Sequence, residues 1–182
     1  MKILVVGVGG QGILLASNIL GKYAMKIGFD IKISEVHGMA QRGGSVITQI
    51  NIDKKVYSPL IEVGKCDILL AFEKLEALRW KHYLKKDGML IINNQSIIPT
   101  FSETEYPKDI INNIDYENKF IVDGISSVKK LGSFKVLNTL MLGKLTKEMN
   151  FDYKIMRESI IEIVPKNFKE INIEAYNMGY SL

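Results

Sequence analysis

Apolar and polar positions along this chain alternate between two periods. Ile3-Leu4-Val5-Val6 is an unbroken, mostly branched apolar run, the pattern of a strand buried on both faces. From Ile13, apolar residues recur at Ala16, Ile19, Leu20, Tyr23, Ala24 and Ile27, the spacing of a helix with one buried stripe, and Gly28 supplies its stop. Ile31–Glu35 alternates and reads as a second strand. In Ser45–Ile52, Val46, Thr48, Ile50 and Ile52 share one face, with Ile47, Gln49 and Asn51 on the other. Asp53-Lys54-Lys55 then reads as a turn into a return strand at Val56-Tyr57, which predicts an antiparallel hairpin. Ser58 ahead of Pro59 reads as turn chemistry.

The second half repeats the strand and helix signals. Ile68–Phe72 is a buried strand, and Glu73–Leu84 is a helix with Leu75, Leu78 and Trp80 inward, a solvated Glu76–Arg79 pair and His82 on its wet face. Asp87-Gly88 turns into a strand over Met89–Ile92, which ends at Asn93-Asn94, either a plain turn or amides lining a site. Thr100–Lys119 is polar and carries no firm element. Phe120–Asp123 is the last strand, and Gly124 begins a crossing to helices near Lys135–Met149, Tyr153–Val164 and Asn167–Tyr180. Asn167 and Glu170 form an N-cap and N3 acid pair, and Pro165 separates the last two helices. Together these predict an α/β, Rossmann-like domain over residues 1–182. Its open sheet is mostly parallel, with an inserted antiparallel hairpin and a helical C-terminal third.

Composition narrows the function classes. The 47% hydrophobic and 24% charged content is that of a soluble globular chain, and no run of 18 apolar residues predicts a membrane span. Met1-Lys2 leads straight into the first strand, so a cytoplasmic location is expected. The net charge of +4 is spread along the chain, which argues against nucleic-acid binding. Cys66 is alone, so this chain by itself builds no disulfide framework, zinc knuckle or Cys-ligated iron–sulfur cluster. Its expected role is a small buried thiol. His37 and His82 are too few for a histidine metal site, and no metal is expected.

The candidate chemistry sits at two glycine-rich turns. Gly7, Gly9 and Gly12 form G-x-G-x-x-G between a strand and a helix, the order that turns backbone N–H groups at a helix N-terminus toward an anion. The alternative is a tight turn whose glycines only let helix and sheet pack closely. Glu35 follows Gly12 by 23 residues, where a dinucleotide fold places its ribose-binding acid. Beyond it, Val36–Ser45 is dense in glycine and carries His37, Gln41, Arg42, Gly43 and Gly44. Arg42 either grips a phosphate or carboxylate bidentately or pairs with Glu35 or another acid and pins the loop. His37 is the one acid–base candidate, although a hydrogen-bonded structural histidine is the usual case. No catalytic set beyond that candidate, no paired-carboxylate motif and no Walker lysine can be assembled. The chain reads as a binding surface without a reaction centre.

Four stretches then carry a resemblance: Gly7–Gly12 (GVGGQG), Glu35–Ser45 (EVHGMAQRGGS), Ser58–Ile61 (SPLI) and Phe72–Arg79 (FEKLEALR). They resemble the gamma-type domain of 2-oxoacid:ferredoxin oxidoreductases, and HGMAQRGGSV is most similar to the small (beta) subunit type of the indolepyruvate-using enzymes. The likeness runs in order through the first hundred residues and reappears at Asn172–Tyr176. It implies a heteromeric enzyme that decarboxylates an aryl-2-oxo acid on thiamine diphosphate, passes two electrons through iron–sulfur clusters to ferredoxin and gives the acyl group to coenzyme A. It also implies that thiamine diphosphate and the clusters sit on a large partner subunit. This chain would then contribute assembly and a hold on coenzyme A. Gly9, Gly10, Gln11 and Gly12 would offer amides to the pyrophosphate, and Arg42 or a lysine would counter its charge. Two other readings stand beside this one: a free-standing NAD- or flavin-dependent oxidoreductase, and a non-catalytic nucleotide-binding regulatory module. Gln11 is not what a standard NAD site prefers.

Overall fold

The computed structural model describes residues 1–38, 43–98 and 105–182. Its centre is one six-stranded sheet: β1 (Lys2–Val8), β2 (Asp30–His37), β3 (Ser45–Asp53), β4 (Cys66–Ala71), β5 (Leu84–Asn93) and β6 (Lys119–Val122). The spatial order is β2-β3-β1-β4-β5-β6. β1, β4, β5 and β6 run parallel, and β3 lies antiparallel between β2 and β1. The α/β, mostly parallel architecture therefore stands. Its antiparallel hairpin, however, is β2–β3. Val56-Tyr57 is not a strand, because both edges of β3 are already taken. Side-chain bonds hold that segment instead: Val56 N donates to Asp30 Oδ2 (2.8 Å) and Ile61 N to Gln49 Oε1 (2.7 Å). Ser58 Oγ accepts from Leu60 N at 3.2 Å, the turn chemistry its position ahead of Pro59 suggests.

β1 alternates across the sheet, so it feeds two cores. Ile3 and Val5 pack with α1 (Ile13–Lys26) and the C-terminal helices, whereas Leu4 and Val6 pack on the face of α2 (Lys74–Trp80). The α1 stripe is as spaced in the sequence: Ala16, Ile19, Leu20, Tyr23 and Ala24 are buried. Each large apolar side chain so buried stabilises the fold by about 1.5–3 kcal/mol. Beyond β6 come α3 (Gly124–Lys130), α4 (Leu137–Glu148), α5 (Tyr153–Ile163) and α6 (Lys169–Ser181). α4 and α6 cross so closely that a Cβ on Gly179 would lie 1.9 Å from the Leu140 carbonyl.

Three local expectations are corrected. β5 runs unbroken through Asp87-Gly88, because a register shift between Cys66 and Ile68 absorbs the extra residues without a turn. α6 starts at Lys169 with no side-chain cap. Asn167 lies in a 3-10 turn over Lys166–Phe168, which Pro165 initiates. The predicted Glu73–Leu84 helix is α2 plus a 3-10 turn over Lys81–Tyr83, with the Glu73 side chain as N-cap to the Glu76 amide.

Cys66 is buried and donates to the Ile68 carbonyl at 2.9 Å, and burial pushes its thiol up to about 12. A thiol so held does not suit cluster ligation, which needs the thiolate. Among the described residues no group of three or more His, Cys, Asp or Glu side chains could hold a metal ion. Among them, too, no helix is long and apolar enough to cross a membrane.

Candidate functional site: the glycine turn and its two cavities

β1 ends at Val8 and the chain must reverse into α1 within four residues. It does so with Gly10 at φ +104° and Gly12 at φ +78°, backbone conformations that side chains strain. Gly12 is the N-cap of α1 and has no side chain to cap with. The helix's own hydrogen bonds begin with Ala16 N to Gly12 O, and among the described residues no side chain caps the amides of the first turn. No acidic residue occupies that first turn.

The turn has a closed half and an open half. In the closed half Gln11 folds back under the loop. Its Oε1 accepts from Val8 N (2.7 Å), and its Nε2 donates to Phe72 O and Gln95 Oε1 (both 2.9 Å). Phe72 directly follows β4, so this side chain fills the crevice between the carboxyl ends of β1 and β4, where open α/β sheets commonly seat ligands. Gly7 leaves room for it: a Cβ there would fall 2.6 Å from Gln11 Oε1 and 2.9 Å from Phe72 Cβ. Gly12 makes room for Asn138, whose Nδ2 would stand 2.5 Å from an added Cβ. Two turn amides are also engaged internally, Gly9 N with Gly44 O (2.8 Å) and Gln11 N with Val8 O (3.1 Å).

The open half faces a cavity of about 260 Å³. Gly9, Gly10, Gly12, Ile13, Leu14, Val8, Val46 and Glu35 line it, so the structure brings Glu35 from β2 to the glycine turn. Leu14 is 50% exposed there. A second cavity, of about 370 Å³, lies on the other side of Gly10, between Gln11, Gln95, Ile125, Phe134 and Leu137. Gly10 lines both.

The second glycine-rich loop is pinned at its base. His37 pairs with Val46 in the ladder, Gly38 N donates to Ser45 O (3.0 Å), and Gly43 takes φ +78°. Gln41 and Arg42 lie outside the described residues. A buried carboxylate braces this base. Glu76, only 2% exposed, accepts from Ser45 Oγ, Trp80 Nε1 (3.2 Å) and Arg79 Nη1 (2.8 Å). The Glu76–Arg79 pair is therefore half-buried scaffolding, not a solvated surface pair, whereas His82 is exposed as expected. Glu73, equally buried, accepts from Ile97 N (3.0 Å) and from the Tyr106 hydroxyl. Burial first, and then that carboxylate, push the Tyr106 phenol up. Asn93 is a strut, not a plain turn: its Oδ1 accepts from Gly124 N (3.1 Å) and its Nδ2 donates to Phe72 O (3.0 Å). Reading the sequence alone did not connect Gln95, Asn93 and Asn138 with the turn. Only Asn93 carried a signal, as one of two amides closing a strand.

Comparison with known proteins gives this geometry a family. A profile described as pyruvate ferredoxin/flavodoxin oxidoreductase matches residues 2–182. The chain is 36% identical to the indolepyruvate oxidoreductase subunit IorB of Pyrococcus horikoshii, over 98% of this chain and 93% of that one. Among solved structures it shares its fold with the gamma subunit of a keto/oxoacid ferredoxin oxidoreductase from Geobacter sulfurreducens. The TM-score is 0.77 at 24% identity, over 99% of this chain and 96% of that one. It shares it also with a 2-oxoglutarate:ferredoxin oxidoreductase from Magnetococcus marinus solved with 2-oxoglutarate, coenzyme A and succinyl-CoA bound. There the TM-score is 0.76 at 18% identity, over 100% of this chain and 30% of that one. Matched from residue 2 to residue 182, the chain belongs to the pyruvate ferredoxin/flavodoxin oxidoreductase family.

Proposed function

We propose that this chain is the small subunit of a heteromeric 2-oxoacid:ferredoxin oxidoreductase whose 2-oxo acid is indolepyruvate or another arylpyruvate. The observation that carries this reading is the 36% identity to an indolepyruvate oxidoreductase subunit along nearly the whole of both chains. The overall reaction joins a 2-oxo acid and coenzyme A, releases carbon dioxide and a proton, and reduces two ferredoxins by one electron each. Thiamine diphosphate and the iron–sulfur clusters belong to a large partner subunit in this reading, since the one cysteine here is buried and held as the thiol. The cytoplasm is the compartment the reading requires.

What remains for this chain is docking and a grip on the phosphates of coenzyme A. Gly10, Gly12, Ile13, Leu14 and Glu35 line the 260 Å³ cavity. Of the four expected donors the Gly9 and Gln11 amides are already bonded within the turn, so those of Gly10 and Gly12, with the first turn of α1, would take the phosphates and Glu35 a ribose hydroxyl. Arg42 or a lysine would balance the phosphate charge. The helix dipole contributes about 0.3–1 kcal/mol to such a charge, whereas even millimolar affinity needs about 4 kcal/mol. The turn therefore orients a ligand that other surfaces help to hold.

Two measurements test this. Purified alone, the chain shows no oxo-acid oxidation. Co-purified with its large partner, it supports indolepyruvate- and coenzyme A-dependent ferredoxin reduction. NAD reduction by the isolated chain with an oxo acid would end the proposal. Within the assembled enzyme, Leu14→Glu places a carboxylate on the first turn of α1. It raises the KM for coenzyme A about tenfold while the helix itself gains about 0.3–1 kcal/mol. An unchanged KM would count against the phosphate role.

A further inference from the structure

On one face of the sheet α2 packs over β1, β4 and β5, and among the described residues no helix covers β3 and β2 there. A strap of residues 56–64 lies over β3 instead, and β2 is left open. Val36 is opposite Ile47 in the ladder and shares its face, yet it is 54% exposed. The strap is fixed along its length. Asn51 Nδ2 donates to Ser58 O (3.0 Å) and Gly64 N to His82 O (3.2 Å), in addition to the Val56 and Ile61 bonds to Asp30 and Gln49. Val56 and Ile61 are its buried anchors, whereas Tyr57, Leu60 and Val63 are 83%, 62% and 60% exposed. Backbone bonds thus hold three apolar side chains in water with no slack to fold them away. Apolar groups so presented mark an interaction surface.

Charge separates the possible occupants. Lys32, opposite Asn51 on this face, and Lys54, Lys55 and Lys65 at the two ends of the strap are exposed. Among the described residues none of the four makes an ion pair. Lys55 Nζ lies 5.2 Å from the centre of the Tyr57 ring, so cation and apolar surface are adjacent. A second copy docked face to face would set this basic rim against itself. A lipid surface that took in Leu60 and Val63 would have to take in the exposed Glu62 carboxylate between them. A protein face with an apolar centre and carboxylates at its rim satisfies both the side chains and the lysines.

We propose that this strap, with the open face of β2, docks the large partner subunit through an apolar patch rimmed by acidic side chains on that subunit. The proposal rests on the heteromeric reading above and gives its assembly role to particular residues. It also accounts for the SPLI stretch at residues 58–61, whose Ile61 is an anchor and whose Leu60 faces water.

The test titrates the full chain with the large subunit that co-purifies with it. Leu60→Asp, at an exposed side chain, is expected to raise the Kd for that subunit about tenfold or more and to leave Tm unchanged. The double variant Lys54→Glu/Lys55→Glu is expected to slow association and to flatten its dependence on salt. Phe168→Asp, at an apolar residue 51% exposed beside α6 on the other side of the sheet, is expected to change neither. An unchanged Kd in both strap variants, or equal weakening by Phe168→Asp, would overturn the proposal. So would a wild-type dimer in sedimentation that Leu60→Asp dissolves, or binding to phosphatidylglycerol vesicles that Leu60→Asp abolishes. Failure of the wild-type chain itself to bind the large subunit would end the heteromeric reading, whereas binding by wild type and strap variants alike would end only this one.

Discussion

The two halves of the glycine turn use the same residue type for opposite purposes. At Gly7 and Gly12 the missing Cβ is space taken up by the protein itself, by Gln11 and Phe72 in one case and Asn138 in the other. At Gly10 the missing Cβ is space left open, and only the backbone angle demands glycine. One half is packing and the other is a passage, so a G-x-G-x-x-G match on its own cannot say which glycines meet a ligand. Gln11 separates the two, because by folding inward it closes the strand crevice and leaves Gly9 and Gly10 at the surface of the cavities.

Substitutions on either side of that boundary separate the two roles. Gly12→Ala carries the largest expected effect. A Cβ 2.5 Å from a buried Asn138 amide, at φ +78°, is destabilising by about 2–3 kcal/mol, a fall in Tm of roughly 5–10 °C. A melting curve that did not move would mean the closed half is not packed as described. Gln11→Ala comes next. It leaves Val8 N without its side-chain partner and Phe72 O with Asn93 alone, and is expected to lower stability by about 1–3 kcal/mol in urea titration. An increase in stability would show that Gln11 is itself a strained ligand group.

Gly10→Ala should be milder, about 1–2 kcal/mol from the backbone angle alone. It should nevertheless raise the KM for coenzyme A more than Gly12→Ala does for each kcal/mol of stability lost. Equal ratios would erase the distinction between the halves.

The smallest effect lies away from the turn, where Lys22 and Lys26 of α1 clasp Glu162 of α5 and Lys26 also reaches Glu158. The two lysines bring the Glu162 carboxyl down to about 2 from its ordinary 4.5. A depressed carboxylate contributes stability that is present above its unfolded value and lost as pH falls, here between about 4.5 and 2. These groups are exposed, so added salt should shrink the effect. Glu162→Gln should flatten the acid limb of Tm against pH in that window, and a parallel limb would remove the clasp from the stability of α1.

Long, strongly periodic segments were legible at once. The buried β1 run, the α1 stripe and the three C-terminal helices follow from local spacing, because a 2.0 or 3.6 period reports which face meets the core whatever lies opposite. The hairpin was legible as a kind of element and not as a pairing. Ser45–Ile52 alternates as a half-buried strand should, but whether its neighbour is Val56-Tyr57 or β2 depends on which edge is vacant, a property of the assembled sheet. Glu76 was misjudged for a similar reason. Its spacings with Arg79 and Trp80 are local, whereas Ser45, whose hydroxyl helps to make burial of the carboxylate tolerable, is brought in by β3.

From its own order of residues the chain determined a strand, a glycine reversal and a helix N-terminus in succession. It also determined the lack of enough cysteine or histidine for a redox centre of its own. Those are consequences of adjacent side chains and of composition, which no folding can alter. Tertiary structure alone decided which glycines are filled and which are open, that Glu35 meets the turn, and that Gln95 is tied to it through Gln11. Each of these depends on residues from 23 to 126 positions apart converging on one sheet end. An amide acquires a direction only when the groups on both sides of it are in place.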